Sequence, residues 1–105
     1  MSNLVQDDRQ YLEFYLYDKN PLNGATVPHT LTGISSINFY MYSYDSDVAT
    51  ISTTCSVEDA TLGCCKAFVT IPVAGRYKAE VEVYEGSQRL TWGKIYYTVE
   101  GDLGD

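Results

Sequence analysis

Apolar and polar residues alternate along most of this chain, which is the pattern of antiparallel strands with one buried face and one solvated face. The clearest run is Gly75–Glu85, whose apolar face consists of Tyr77, Ala79, Val81 and Val83. A turn at residues 85–88 leads into the aromatic and β-branched run at residues 89–100, so the two runs predict a β-hairpin. The alternation slips at Gly93-Lys94, which predicts a β-bulge. We expect Tyr77 to be the best-buried tyrosine.

Four further segments carry the same alternation or a β-branched composition, at residues 11–17, 35–44, 48–57 and 64–71. The connection at residues 22–33 contains an Asn-Gly turn pair and Pro28, so at most a short edge strand is expected there. No segment of helical length shows the helical period. Six or seven short strands separated by turns are typical of a β-sandwich, and we therefore predict an all-β chain.

The length of 105 residues is enough for one domain with one core. We place this domain at residues 11–100. Residues 1–10 are polar and acidic, which predicts a flexible N-terminal arm. Residues 101–105 read G-D-L-G-D and are interpreted as an acidic C-terminal tail.

Tyrosine is unusually frequent, with ten copies against three Phe and one Trp. On residues 11–17 and 35–44 the tyrosines alternate with apolar residues, so they occupy the face that the core does not need. These outward positions are Tyr11, Tyr15, Tyr17, Tyr40, Tyr42 and Tyr44. If the two strands are neighbours, the tyrosines form one large aromatic patch, and we predict a protein–protein interface.

Two alternatives to this interface stay open. The tyrosines could form cross-strand pairs on a solvated sheet, or a second sheet could pack on their face. The hairpin is a weaker candidate for an adhesive surface, because Lys78, Glu80 and Glu82 make its outward face charged. We expect that strand to act as a scaffold.

The net charge of −7 argues against partners that are themselves anionic, namely nucleic acids and anionic membranes. The first residues lack the basic start and apolar run of a secretory signal, and charges or turns interrupt every apolar segment. We therefore expect a soluble protein that is made in a cytoplasm and has no nucleic-acid or membrane partner.

Candidate chemistry centres on Cys55, Cys64, Cys65 and the single histidine, His29. Adjacent strand residues point to opposite faces, so Cys65 should face the core and Cys64 the solvent, and the two cannot share a zinc ion. A disulfide from Cys55 to either cysteine is possible across one turn, although free thiols are the default without an export signal. A cysteine beside His29 would still lack an orienting group and an oxyanion loop, so no enzyme is expected.

Two acidic turns, Asp45-Ser46-Asp47 and Glu58-Asp59, are conceivable calcium ligands, but neither has EF-hand spacing. Ordinary turn chemistry is the simpler interpretation, because Asp and Ser favour turns. We predict no metal and no cofactor. Carbohydrate binding is a further alternative, since exposed aromatic residues with nearby Asp, Asn and Gln can bind sugars.

Three motifs occur in an order that resembles a known family. They are L-T-G at residues 31–33, D-A-T-L-G at residues 59–63 and G-R-Y-K-A-E-V-E-V at residues 75–83, followed by a closing strand that ends T-V-E at residues 98–100. The order is similar to that of the immunoglobulin-like N-terminal domain of phage baseplate upper proteins and related phage tail structural proteins. The resemblance covers residues 11–100.

This resemblance implies an immunoglobulin-like β-sandwich of two antiparallel sheets with about seven strands. It also implies a non-enzymatic structural protein of a phage virion, in the tail or baseplate, that forms homo-oligomers or binds neighbouring virion proteins. The alternatives are a glycan- or receptor-binding module on a virion or cell surface, and a capsid decoration protein.

Overall fold

The computed structural model describes residues 2–19 and 24–101, and within these ranges the chain is all-β, as predicted. Ten strands form three sheets, of which the main one curls into a half-barrel. The strands are β1 (Ser2–Val5), β2 (Arg9–Tyr15), β3 (Tyr17–Lys19), β4 (Thr26–Pro28), β5 (Ser36–Ser43), β6 (Ala49–Thr54), β7 (Ser56–Asp59), β8 (Cys64–Thr70), β9 (Gly75–Glu85) and β10 (Gln88–Glu100). Nowhere in the described part of the chain is there a helix long and apolar enough to cross a membrane.

The main sheet has five strands in the order β1-β10-β9-β5-β6, and a second sheet has the order β2-β8-β7. Strands β3 and β4 pair by themselves. All pairings are antiparallel except that of β1 with β10. The predicted hairpin is confirmed as β9–β10, and its register shifts between Trp92 and Ile95, which confirms the predicted bulge. Lys94 in this bulge has a φ of 61°, a left-handed conformation that is uncommon outside glycine.

One hydrophobic core joins the five-stranded and three-stranded sheets. Phe39 of β5 is fully buried and stacks on Phe14 of β2, with ring centroids 5.3 Å apart. Tyr77 is 4% exposed and Tyr97 is 7% exposed, so the prediction that Tyr77 is the best-buried tyrosine is confirmed for the described residues. The apolar positions of the alternating runs at residues 11–17, 35–44, 64–71 and 75–85, which the alternation places on the inward faces, are buried as well: Leu12, Phe14, Leu16, Ile37, Phe39, Met41, Cys65, Ala67, Val69, Ile71, Tyr77, Ala79, Val81 and Val83.

The N-terminal segment differs from the loose arm predicted for residues 1–10. Ser2–Val5 forms β1 beside β10, and Arg9 and Gln10 already belong to β2. Leu4 is buried, and the Gln6 N–H donates to the Glu100 carbonyl at 2.8 Å. A strand held by backbone hydrogen bonds and one buried leucine is too short to produce a recognisable alternation, which explains the wrong prediction.

Residues 48–57, predicted as one strand, divide into β6 and β7, which belong to different sheets. The Cys55 N–H donates to the Ile37 carbonyl at 2.9 Å, and the next residue starts β7. The short edge strand allowed within residues 22–33 is β4. The predicted turn residues 20–23 and tail residues 102–105 lie outside the described residues.

Candidate interaction surfaces

The candidate tyrosines occupy two opposite sides of the molecule. Strand β2 belongs to the three-stranded sheet and β5 to the five-stranded sheet. Their inward residues Phe14 and Phe39 stack on each other, so the outward residues of the two strands point away from each other. The single patch expected for neighbouring strands therefore does not form. Two separate surfaces replace it.

The first surface, here called the β2–β8 surface, consists of Tyr11, Tyr15 and Phe68. Tyr11 and Phe68 lie opposite each other in the register and pack edge to face at 5.1 Å, yet they remain 54% and 53% exposed. The Lys66 ammonium lies 4.3 Å from the Tyr11 ring centroid and forms a salt bridge of 2.9 Å with Glu58. The aromatic pair is thus ordered by its neighbours while half of its area stays open to a partner.

The second surface, here called the β5–β10 surface, consists of Tyr42, Tyr44 and Tyr96. Lys78 of β9 lies between Tyr42 of β5 and Tyr96 of β10 in the sheet register. The Tyr44 and Tyr96 rings are 6.4 Å apart, and the Arg76 guanidinium lies 5.1 Å from the Tyr44 centroid. The tyrosines therefore alternate with cations, and the strand predicted to be only a scaffold contributes directly to the surface.

Tyr42 is the most constrained of these tyrosines. Its hydroxyl donates a hydrogen bond of 3.0 Å to Glu80 on the adjacent strand. Burial, together with this hydrogen bond, raises the pKa of Tyr42 to about 12, so the hydroxyl remains a donor well into the alkaline range.

The bulge in β10 opens a groove of about 350 Å³ on this surface, lined among others by Tyr42, Tyr96, Lys78, Lys94, Glu80 and Asp47. A smaller groove of about 210 Å³ adjoins it, with Tyr96 lining both. Arg76, Lys78 and Lys94 form no salt bridge with any described residue. Three cations thus converge on tyrosines in a chain whose net charge is −7.

The remaining predicted tyrosines are Tyr40 and Tyr17. Tyr40 is half-buried on the same outer face as Tyr42. Tyr17 lies on β3, two residues beyond Tyr15, and its carbonyl accepts a hydrogen bond of 3.0 Å from the Trp92 indole. The predicted interface did not include Phe68 or Tyr96. The alternation at residues 64–71 places Phe68 outward, and Tyr96 points outward because Ile95, Tyr97 and Val99 alternate with it after the bulge.

His29 links the small β3–β4 sheet to the β9–β10 hairpin. Its Nδ1 lies 2.6 Å from Asp18 Oδ2, its Nε2 lies 2.5 Å from Glu85 Oε1, and its ring centroid lies 5.0 Å from that of Trp92. Burial lowers the pKa of His29, but the hydrogen bonds to Asp18 and Glu85 outweigh it, and the net pKa is raised. Only the doubly protonated ring donates to both carboxylates. Both ring nitrogens are therefore engaged, and no cysteine–histidine pair forms at His29.

We call the arrangement of His29 between Asp18 and Glu85 the His29 clasp, and we expect it to make the free energy of unfolding depend on pH. A histidine whose folded pKa is raised adds stability that is complete below its unfolded pKa, near 6.5, and is lost as the pH rises through the folded value. The unfolding free energy, measured by urea titration between pH 6 and pH 9, should fall more steeply for wild type than for His29→Gln. If the unfolding free energies of the two proteins fall equally with pH, protonation of His29 does not contribute to the stability of the fold.

All three cysteines are free. Cys65 is buried in the core as predicted. Cys64 lies on the outward face, as predicted, since it is opposite Tyr15 in the register; it is nevertheless buried, and Tyr15 hydrogen-bonds its thiol. The hydrogen bond with Cys55, reinforced by burial, raises the pKa of Cys65. The Cys65 thiol thus packs as a neutral core group, whereas the same hydrogen bond lowers the pKa of Cys55.

Each of the two acidic turns contains local hydrogen bonds. Asp59 Oδ1 accepts hydrogen bonds from the Thr61 hydroxyl at 2.9 Å and the Leu62 N–H at 3.3 Å. In the other turn, the Ser46 hydroxyl oxygen accepts a hydrogen bond from the Val48 N–H at 3.0 Å. Among residues 2–19 and 24–101, no group of three or more His, Cys, Asp or Glu side chains is arranged to hold a metal ion.

No protein-family model matches this chain, and no curated protein matches it.

Proposed function

We propose that this protein is a non-enzymatic, immunoglobulin-like module of a phage virion, in the tail or baseplate. It acts by associating with copies of itself or with neighbouring virion proteins. The motif order at residues 31–33, 59–63 and 75–83 supports the family assignment. Strand order supports the immunoglobulin-like sandwich, because β2-β8-β7 and β10-β9-β5-β6 follow the B-E-D and G-F-C-C′ arrangement of variable-type domains.

The observation that carries the association function is the pair of aromatic surfaces on opposite sides of one small domain. Exposed aromatic clusters of this kind are typical of protein interfaces, where tyrosine is enriched and binding energy concentrates. A module with adhesive surfaces on two opposite sides contacts two neighbours at once. Repeating assemblies require that property of their subunits.

Electron microscopy of phage particles labelled with antibody against this chain tests the location. Label on the tail or baseplate is the expected result. In solution, sedimentation should show assemblies for wild type that are weakened at least tenfold in the double variant Tyr42→Ser, Tyr96→Ser. Tyr84→Ser is the matched control, since Tyr84 lies on β9 and does not line either groove. Unlabelled particles together with a strictly monomeric wild type would contradict the proposal.

A glycan- or receptor-binding module is the second candidate, and the groove at the bulge favours it. Tyr42 and Tyr96 offer ring faces or edges there, while Lys78, Glu80 and Asp47 offer polar groups. This combination suits a sugar, which needs aromatic packing and directed hydrogen bonds. Binding to a glycan array that is lost in Tyr42→Ala would favour this function, and an array without signal would exclude the glycans it carries.

A further inference from the structure

Residues 48–57, V-A-T-I-S-T-T-C-S-V, contain no charged residue, proline or glycine, although charged residues make up 20% of the chain. This run forms β6, at one end of the five-stranded sheet, and the start of β7, at one end of the three-stranded sheet. Within the described residues, no further strand pairs with either one. One side of the molecule therefore presents the uncharged edge of β6 and, in the other sheet, the edge of β7, whose second half is the acidic pair Glu58-Asp59.

The hydrogen bonding of β6 with β5 identifies the backbone groups that face the open side. The Cys55 N–H donates to the Ile37 carbonyl, so this pair is of the hydrogen-bonded type. Because the two types alternate, the register makes Thr53 a hydrogen-bonded partner of Phe39, and leaves Ser52 and Thr54 at the non-bonded positions. The N–H and C=O groups of Ser52 and Thr54 therefore point away from β5.

Such an edge is usually protected by lysine, proline or a covering segment. The edge of β6 carries no charged residue and no proline, and Val48 just before it is 77% exposed.

We propose that β6 of one copy pairs antiparallel with β6 of a second copy and joins the two main sheets into one. This inference rests on the association function proposed above and adds a contact to the two aromatic surfaces. A twofold axis at Thr53 places Ser52 of each copy opposite Thr54 of the other, so the outward N–H and C=O groups of both residues find partners. The pairing uses the regular part of β6, since the register irregularity lies at Thr50.

The edge of β6 is where a second copy can approach with the least repulsion. With a net charge of −7, two copies repel each other over most of their surfaces, and the repulsion is least where the approaching segments carry no charge. An antiparallel edge is also self-complementary, because the same donors and acceptors serve both partners. Pairing would place Tyr40 of both copies on one outer face, since Tyr40 lies beside Ser52 in the register. The aromatic face of the assembly would thereby be extended.

Ser52→Pro tests the strand pairing. Proline removes the Ser52 N–H, which β5 does not use, so the fold should persist while dimerisation is lost. Thr54→Lys is a second variant that adds an edge charge without touching the backbone. Ser52→Ala is the matched control, because it keeps the N–H. Sedimentation equilibrium of the full chain should give a dissociation constant at least tenfold higher for the first two variants and an unchanged constant for the control.

Circular dichroism of each variant establishes that it is folded. Folded Ser52→Pro and Thr54→Lys variants with the mass of wild type would overturn the strand pairing. If the Tyr42→Ser, Tyr96→Ser variant alone dissociates, the association function stands and this contact is wrong. A wild type that is monomeric at all concentrations would overturn the strand pairing and would remove the solution support for the association function.

Discussion

Gly63→Ala should lower the unfolding free energy by about 3 kcal/mol, because alanine is strained in the left-handed backbone at this position and its Cβ would clash with neighbouring atoms. Gly63 has a φ of 67°, and a Cβ on it would lie 2.5 Å from the Leu16 carbonyl oxygen and 2.7 Å from that of His29. Neither oxygen can retreat easily, because the Leu16 N–H donates to Gly63 and the His29 N–H donates to Leu16. The alanine would strain the point where the turn before β8 meets the end of β2 and the end of β4.

Gly86→Ala is the matched control for this clash. Gly86 has a φ of 59° and no atom within 4 Å of the added Cβ. Gly86→Ala should therefore lower the unfolding free energy only by the strain of alanine in a left-handed backbone, about 1–2 kcal/mol. Urea denaturation of the two variants separates the two contributions. Equal losses would mean that the backbone of Gly63 does not approach its neighbours as closely as the structure shows.

Phe39→Ala should cost about 3–5 kcal/mol, which is the usual loss for truncating a buried phenylalanine. Phe39 is fully buried, and its stacking on Phe14 is a direct contact between the five-stranded and three-stranded sheets. The cavity would therefore open between the two sheets, where neither sheet can close it without moving as a whole.

The control for Phe39 is Phe68→Ala, on the β2–β8 surface. Phe68 is half exposed and contributes mainly its ring contact with Tyr11, so a loss of about 1 kcal/mol is expected. Thermal and urea denaturation of both variants provide the measurement. A loss for Phe68→Ala as large as that for Phe39→Ala would contradict the assignment of the core and the surface.

The alternation of side chains was sufficient to predict most strands and the residues that they bury. It succeeded for β9, whose bounds and buried face match the prediction, because eleven residues carry an uninterrupted period of two. It failed for β1, where four residues bury Leu4 and rely on backbone hydrogen bonds, which leave no trace in the side-chain pattern. It also failed at Cys55, since an uncharged run gives no signal for the point at which the chain changes sheets.

The side-chain pattern also could not predict which residues form the candidate surfaces. The alternation identified which tyrosines point outward, but only the sheet order determines which of them are neighbours. Tyr42 and Tyr96 are 54 positions apart in the numbering and lie on either side of Lys78, because β9 is the strand between β5 and β10. The His29 clasp is of the same kind, since Asp18 and Glu85 are brought to it by separate parts of the fold.

Association should bury the two opposite aromatic surfaces. Hydroxyl-radical footprinting tests this directly by comparing the assembled protein, in particles or in purified oligomers, with the dissociated chain. We expect protection on assembly of Tyr42, Tyr44 and Tyr96 on one side and of Tyr11, Tyr15 and Phe68 on the other, with Tyr84 unchanged. Equal modification of these side chains in the assembled and dissociated states would contradict it.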